Sequence, residues 1–311
     1  MSSWFDLPYG EWRETRDTLH MYTQVLGKLR LALSPFEPEW ANVPLYLTAR
    51  GLTTSPMPVG LRTLQADLDL IEHVLVLSNS DGDVDRWPLG SSVADFHKHV
   101  VDALARMHVD VAISPVPSEV PDPIPFPEDT QHEIYRPSQA HKYWCVLSMI
   151  DVILKRYRAG FRGKTTPVQF FWGSFDLVVT RFSGRAVTPP AGDVIAHYGG
   201  DAEQICGGWW PGNDRHPEAA FFAYGYPKHV GLERAVISPA EAAWSADAGE
   251  FLLPYKAVRQ APDPESAILS FLRTTYDAAA ALMGWRSDLT HVEVPPPHTL
   301  SHAGRSATSV R

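Results

Sequence analysis

At 311 residues, with 44% hydrophobic and 20% charged side chains, the chain can form one large or two intimate packed domains. A formal charge of −9, without any run of Lys and Arg, excludes the basic stripe that nucleic acid or an anionic membrane rewards, so neither is an expected partner. Only Cys145 and Cys206 are present, which excludes a disulfide framework or a CxxC metal pair; with no leader-like N-terminus and no apolar run of about 18 residues, a cytoplasmic, unanchored protein is expected.

Residues 11–33 place Trp12, Leu19, Tyr22, Leu26, Leu29 and Leu33 on one face of a helix that Pro35 ends. Residues 44–52 and 61–70 read as strands, the second by the alternation of Leu64, Ala66, Leu68 and Leu70 with Gln65, Asp67 and Asp69. Residues 73–78 and 84–89 flank Asp81-Gly82, a tight hairpin signal. Ser92 can cap a helix through Val93, Phe96, Val100 and Leu104, and residues 109–114 read as a further strand.

Six prolines between Pro115 and Pro127 predict a stiff, extended connector. Beyond it, Ser138 can cap a second long helix with Tyr143, Val146, Leu147, Ile150, Leu154 and Tyr157 on one face, followed by strands over 168–172 and 175–182. Residues 183–217 read as a long Gly- and Pro-rich loop, 219–226 and 251–255 as short strands. Asp263 and Pro264 then begin a last helix that stops at Gly284, and the chain beyond Pro295 reads as disordered.

The prediction is an α+β fold of antiparallel sheets packed with long amphipathic helices. Its organisation is a helix–sheet–helix half over 1–114, a Pro-rich connector over 115–137, a second half over 138–292 packed on the first as one unit, and a disordered tail over 293–311. Residues 45–51 and 177–181 share a local shape, which leaves an internal duplication open beside coincidence.

The chain lacks GxGxxG, Walker, HExxH, GxSxG and EF-hand motifs, so its chemistry must come from scattered polar residues. Asp17, His20, Gln24 and Lys28 share one stripe of the first helix: a site if a second layer covers them, a solvated face otherwise. Arg50, Thr53, Thr54 and Ser55 combine a guanidinium fork with hydroxyls, either an anion cradle or a self-satisfied turn. Lys164, Asp176 and Arg181 are charges within or beside an aromatic strand pair, where they must pair with each other or face a pocket.

The runs Thr18-Leu19-His20, Arg50-Gly51-Leu52-Thr53-Thr54-Ser55, Pro123-Ile124-Pro125-Phe126, Phe170-Phe171-Trp172-Gly173-Ser174-Phe175-Asp176-Leu177 and Thr180-Arg181-Phe182-Ser183-Gly184-Arg185 resemble an uncharacterised bacterial family, domain of unknown function 5996, from Trp12 to about Trp285. The resemblance implies one family-wide unit and no assigned activity, substrate or cofactor. It also implies that the position of Gln169 is often His, so a metal site using that position is weakened here.

The functional expectation is a cytoplasmic enzyme or ligand-binding protein with a pocket between its halves, acting on a small anionic metabolite. Arg50, Thr53, Thr54, Lys164 and Arg181 would hold the anionic group, Trp172 would form an apolar wall, and His20 with Asp176 would be the acid–base pair. A noncatalytic interaction or structural protein is the alternative, and a metal-dependent enzyme using His20, Asp176 and Glu218 a second. Cofactor and oligomeric state are both open.

Overall fold

The computed structural model describes residues 4–189 and 191–292; the tail expected over 293–311 lies outside them. In chain order the elements are α1 (Tyr9–Leu33), β1 (Tyr46–Leu47), β2 (Gly51–Thr53), β3 (Met57–Val59), β4 (Arg62–Asp69), β5 (Val74–Asn79), β6 (Val84–Pro88), α2 (Val93–Arg106), α3 (Pro137–Ala159), β7 (Gln169–Phe171), β8 (Asp176–Ala186), α4 (Val194–Gly199), β9 (Ala202–Trp210), β10 (Ala220–Tyr226), β11 (Ala243–Ser245), β12 (Glu250–Pro254), α5 (Tyr255–Gln260) and α6 (Pro264–Leu282).

Strands β1 to β6 form one antiparallel sheet, ordered β1-β2-β4-β5-β6 with β3 also on β4. Strands β7 to β12 form a second, ordered β11-β12-β10-β9-β8-β7. This is an α+β fold of two antiparallel sheets with long helices. The sheets touch at one rung, where Leu45 and Phe170 exchange two backbone hydrogen bonds of 2.9 Å. One hydrophobic core runs through both halves, with Trp12, Tyr22, Phe96, Tyr143, Phe175, Trp209 and Phe271 fully buried in it. The two look-alike runs fall on non-equivalent strands: the edge strand β1 and the second strand β8.

The second sheet buries only one of its faces in that core. Leu177, Val179, Ile205, Trp209, Phe221, Ala223, Phe251 and Leu253 point to the helices, while Val178, Cys206 and Phe222 form a separate small cluster with Phe171, Trp210, Tyr224 and Leu252 on the opposite face. This is the two-residue alternation of a strand made visible.

Several expectations are corrected. Residues 109–114 form no strand; Val109 N closes the end of α2 on Leu104 O, and the segment pairs with no neighbouring strand. Pro137, not Ser138, begins α3, in the first-turn position where its missing N–H costs nothing. The expected loop over 183–217 contains the end of β8, α4 and the whole of β9. Gly207 and Gly208 make β9 look like a loop, yet a Cβ at either would lie 2.5 Å from Leu272 Cδ2 or 2.3 Å from Leu177 O. The glycines let helix and strand approach rather than break the strand. The shorter β11 and α5 were not anticipated.

The polar stripe of α1 is not solvated: His20, Gln24 and Lys28 are 4%, 0% and 7% exposed. The Pro-rich connector covers part of it. Gln24 Nε2 donates to Ser118 O (2.7 Å), Ser118 N donates to Gln24 Oε1 (3.0 Å), and Lys28 Nζ donates to Ser118 Oγ (2.9 Å). Three bonds tie the connector to the helix at one residue, so it is a fixed part of the body rather than a spacer.

Candidate functional site

The face of the second sheet that turns away from the helices forms the floor of a cleft of about 1440 Å³. Strand register lays the floor out in rows about 4.8 Å apart from strand to strand. One row runs Gln169, Val178, Gly208, Phe222, Leu252; the next runs Phe171, Asp176, Trp210, Ala220, Pro254; on the other side lie Thr180, Cys206, Tyr224 and Glu250. The first half supplies part of the rim with Leu31, Glu39, Trp40 and Val43, and the connector adds Ser118 and Glu119. At the lip, Tyr198 of α4 meets Phe36 and Trp40 at ring-centroid distances of 5.5 and 5.8 Å. The cleft therefore has its floor on the second sheet and its rim on the first half and the connector.

Asp176 opens β8 directly after the turn Trp172-Gly173-Ser174-Phe175. Phe175 there takes the left-handed φ of 63°, a conformation costing a bulky residue roughly 1–2 kcal/mol. Its ring, stacked on Tyr143 at 5.3 Å and 11° and edge-on to Phe170 at 5.3 Å, holds the turn in place. Ser174 Oγ donates to Asp176 Oδ1. A Cβ on Gly173 would fall 1.9 Å from Glu119 Oε2, so the connector's carboxyl rests on the bare backbone of this turn.

Three carboxyls in the cleft resist ionisation. Burial, opposed by the Ser174 hydrogen bond and reinforced by the charge of Glu119, pushes Asp176 up to about 7. Burial and then the charge of Asp176 push Glu250 up to about 7. Burial and then Asp193 raise Glu119. Two carboxyls thus stand near neutrality, the charge of Asp176 adding to the burial that raises Glu250. The Cys206 thiol on the floor is pushed up to about 11 by burial and stays protonated.

Gln169 is 2% exposed, lines the cleft, and its Nε2 has no hydrogen-bond partner. A buried donor left unpaired costs about 1–3 kcal/mol. Among the described residues the lining carries the carboxyls Glu39, Glu119, Asp176, Asp193, Glu218 and Glu250 against Arg215 and His216, both exposed at the rim.

Of the residues expected to make a site, the structure brings Asp176 and Trp172 to the cleft and takes the others elsewhere. Trp172 lines the wall, its Nε1 donating to Val43 O at 3.0 Å. His20 does not meet Asp176; its Nε2 lies 3.0 Å from the carbonyls of Trp172 and Gly173, behind the turn. Burial, then Arg16, depresses it to about 3, so it remains neutral and holds the turn without shuttling protons. Arg50 is at the other sheet, paired with Asp69 (2.5 Å) and Glu72 (3.0 Å). Thr53 Oγ1 accepts from Ser55 N, and Thr54 Oγ1 accepts from Ala66 N, which is turn satisfaction.

Lys164 is paired with Glu39 at the rim, over the Phe182 ring. Arg181 faces the helices, its guanidinium 3.6, 4.7 and 4.9 Å from the ring centres of Tyr157, Tyr276 and Phe161, and donates to Tyr157 O at 2.5 Å. No anion cradle forms from these groups. Glu218 lies at the rim, away from His20, and among the described residues no group of three or more His, Cys, Asp or Glu is placed to hold a metal ion.

Sequence reasoning missed Glu119, Glu250, Gln169 as a cleft donor, and the aromatic floor. The alternation Asp176, Val178, Thr180, Phe182 against Leu177, Val179, Arg181 was a usable signal, since it separates Arg181 from Asp176 by face. Nothing local marked Glu250 or Glu119. Among the described residues no helix is long and apolar enough to cross a membrane. In comparisons with known proteins, the model of a family of unknown function (DUF5996) matches residues 4–292. No curated protein and no solved structure matches the chain.

Proposed function

The chain belongs to the family of unknown function DUF5996, and from that starting point we propose that it is an enzyme acting on a small molecule held on the open face of its second sheet, with Asp176 and Glu250 as its acid and base. The observation that carries the reading is the pair of carboxyls raised to about 7 inside a cleft of about 1440 Å³ with an aromatic floor. A sheet face this apolar ordinarily receives a covering layer; here it is left open to a cavity with poised titratable groups, the usual setting of catalysis.

Catalysis in such a site needs one carboxyl protonated and one ionised at the same pH. Mutual repulsion supplies this: the first to ionise raises the other, so near neutrality the mixed state is well populated. Ser174 fixes the Asp176 rotamer by its hydrogen bond. Gln169 is a fixed donor beside it, and Trp172 and Phe222 give the ligand apolar contact.

The test is native mass spectrometry of the full chain as purified, against its denatured mass, for the wild type and Val178→Trp. Val178 faces the cleft across from Gln169 and two residues along β8 from Asp176, so an indole there covers both without entering the core. An added mass on the wild type that the variant lacks supports the reading and gives the ligand's chemical class. The same added mass on both proteins would place the ligand elsewhere and overturn it.

A further inference from the structure

The groups in the cleft also select for charge. At one end Asp176 lies beside Glu119, and Glu250 lies further along the same face. The cations near by are committed, turned away or outside: Lys164 to Glu39, Lys28 to Ser118, Arg181 to the aromatic rings of the helical layer, while Arg215 stands exposed at the rim. No fixed positive charge therefore balances the inner carboxyls. A buried anion of this kind requires a partner.

The second observation is independent of charge. Gln169 is buried, faces the cleft and carries an unpaired Nε2 donor. It sits across from Val178 and therefore diagonally from Asp176, whose partner on the same strand is Phe171. Diagonal neighbours on one sheet face are about 7–8 Å apart, within reach of a single small molecule.

We infer that the cleft binds an organic cation: an amine whose ammonium group sits against Asp176 and Glu119, whose apolar body lies over Val178 toward Phe222, and whose carbonyl or hydroxyl oxygen accepts from Gln169 Nε2. The inference rests on the proposal that this cleft is the functional site and adds the class of its ligand. An ammonium entering here gains two carboxylates at low effective dielectric, with Trp210 and Tyr224 near by to offer ring faces to its charge. A carboxylate or phosphate ligand would meet like charge with no fixed cation among the inner groups. A neutral ligand would satisfy Gln169 and leave the carboxyls as they are.

Matched probes on the full-length chain separate these cases. Isothermal titration at pH 8 with phenylalaninol, 2-phenylethylamine and spermidine, all protonated there, is compared with 3-phenylpropan-1-ol, which lacks the amine, and with 3-phenylpropionate. Phenylalaninol should bind at least tenfold more tightly than 3-phenylpropan-1-ol, and 3-phenylpropionate should not bind. Asp176→Asn should erase that tenfold preference, Gln169→Leu should weaken phenylalaninol over 2-phenylethylamine severalfold, and Val178→Trp should abolish all binding. If the neutral or anionic probe binds as well as the amines and Val178→Trp removes it, the cation assignment is wrong while the cleft remains the site. If none of the three amines binds, the cation assignment is overturned, and the retained-mass comparison decides the cleft separately.

Discussion

Replacing Asp176 with Asn should make the protein more stable and less able to do its work. The carboxyl stands at about 7 in the folded chain against an ordinary 3.8. Because the folded value is the higher one, the folded state holds its proton longer than the unfolded state, and wild-type stability falls as pH rises from about 4 to about 7 and stays low above that. The rise from 3.8 to about 7 corresponds to a ceiling of ~4 kcal/mol at alkaline pH. Relaxation and water entering the cleft should halve it, leaving ~2 kcal/mol.

Asn is isosteric, keeps an oxygen to accept from Ser174, and never ionises. Thermal unfolding followed by circular dichroism at pH 4.5 and pH 8.5 should show Asp176→Asn gaining ~4–8 °C over the wild type at the higher pH. The gain should fall to about a quarter of that at the lower pH, since the unfolded carboxyl is still largely ionised at pH 4.5. Equal offsets at both pH values, or destabilisation at pH 8.5, would refute the account of Asp176 as a carboxyl held against its solvation. A gain in stability joined to lost amine binding would identify strain kept for function.

Gly27→Ala would place a Cβ 2.2 Å from the Trp172 ring; the overpacking should cost ~2 kcal/mol and shift the tryptophan emission, whereas Gly10→Ala on the open end of the same helix, with nothing within 4 Å, should be neutral or stabilise by ~0.5–1 kcal/mol in urea unfolding. Arg181→Ala empties the space between Tyr157, Phe161 and Tyr276 and takes from the Tyr157 carbonyl its shorter hydrogen bond, leaving that from Gly160 N at 3.3 Å. It should lower stability by ~3 kcal/mol in urea unfolding. Amine affinity of the folded fraction should be unchanged, and a specific loss of affinity would return Arg181 to the site.

The long elements were legible because each carries its own signal. The stripe of α1, the Asp263 and Pro264 start of α6, and the Asp81-Gly82 turn between β5 and β6 are local patterns that the structure keeps. Strand β9 was not, because its glycines answer to Leu272 and the Leu177 carbonyl, contacts far away in sequence. The site was legible at Asp176 and Trp172, which sit in a dense aromatic run. It was not legible at Glu250 or Glu119, since their significance comes from burial and from each neighbour's charge, which only tertiary structure creates. The expectation that Arg181 and Lys164 must be functional because buried charge is costly overlooked that cost being met locally, by stacked rings and by Glu39.

The single rung between Leu45 and Phe170 joins two sheets that share no other backbone pair among the described strands. Phe170 lies between Gln169 and Phe171, the two β7 residues that line the cleft. In an amide-exchange experiment the Leu45 N–H, which belongs to the first half of the chain, should therefore open together with β7 and slow when a ligand engages Gln169. One proton outside the second sheet would then report, on the timescale of minutes to hours, whether the cleft in that sheet is occupied.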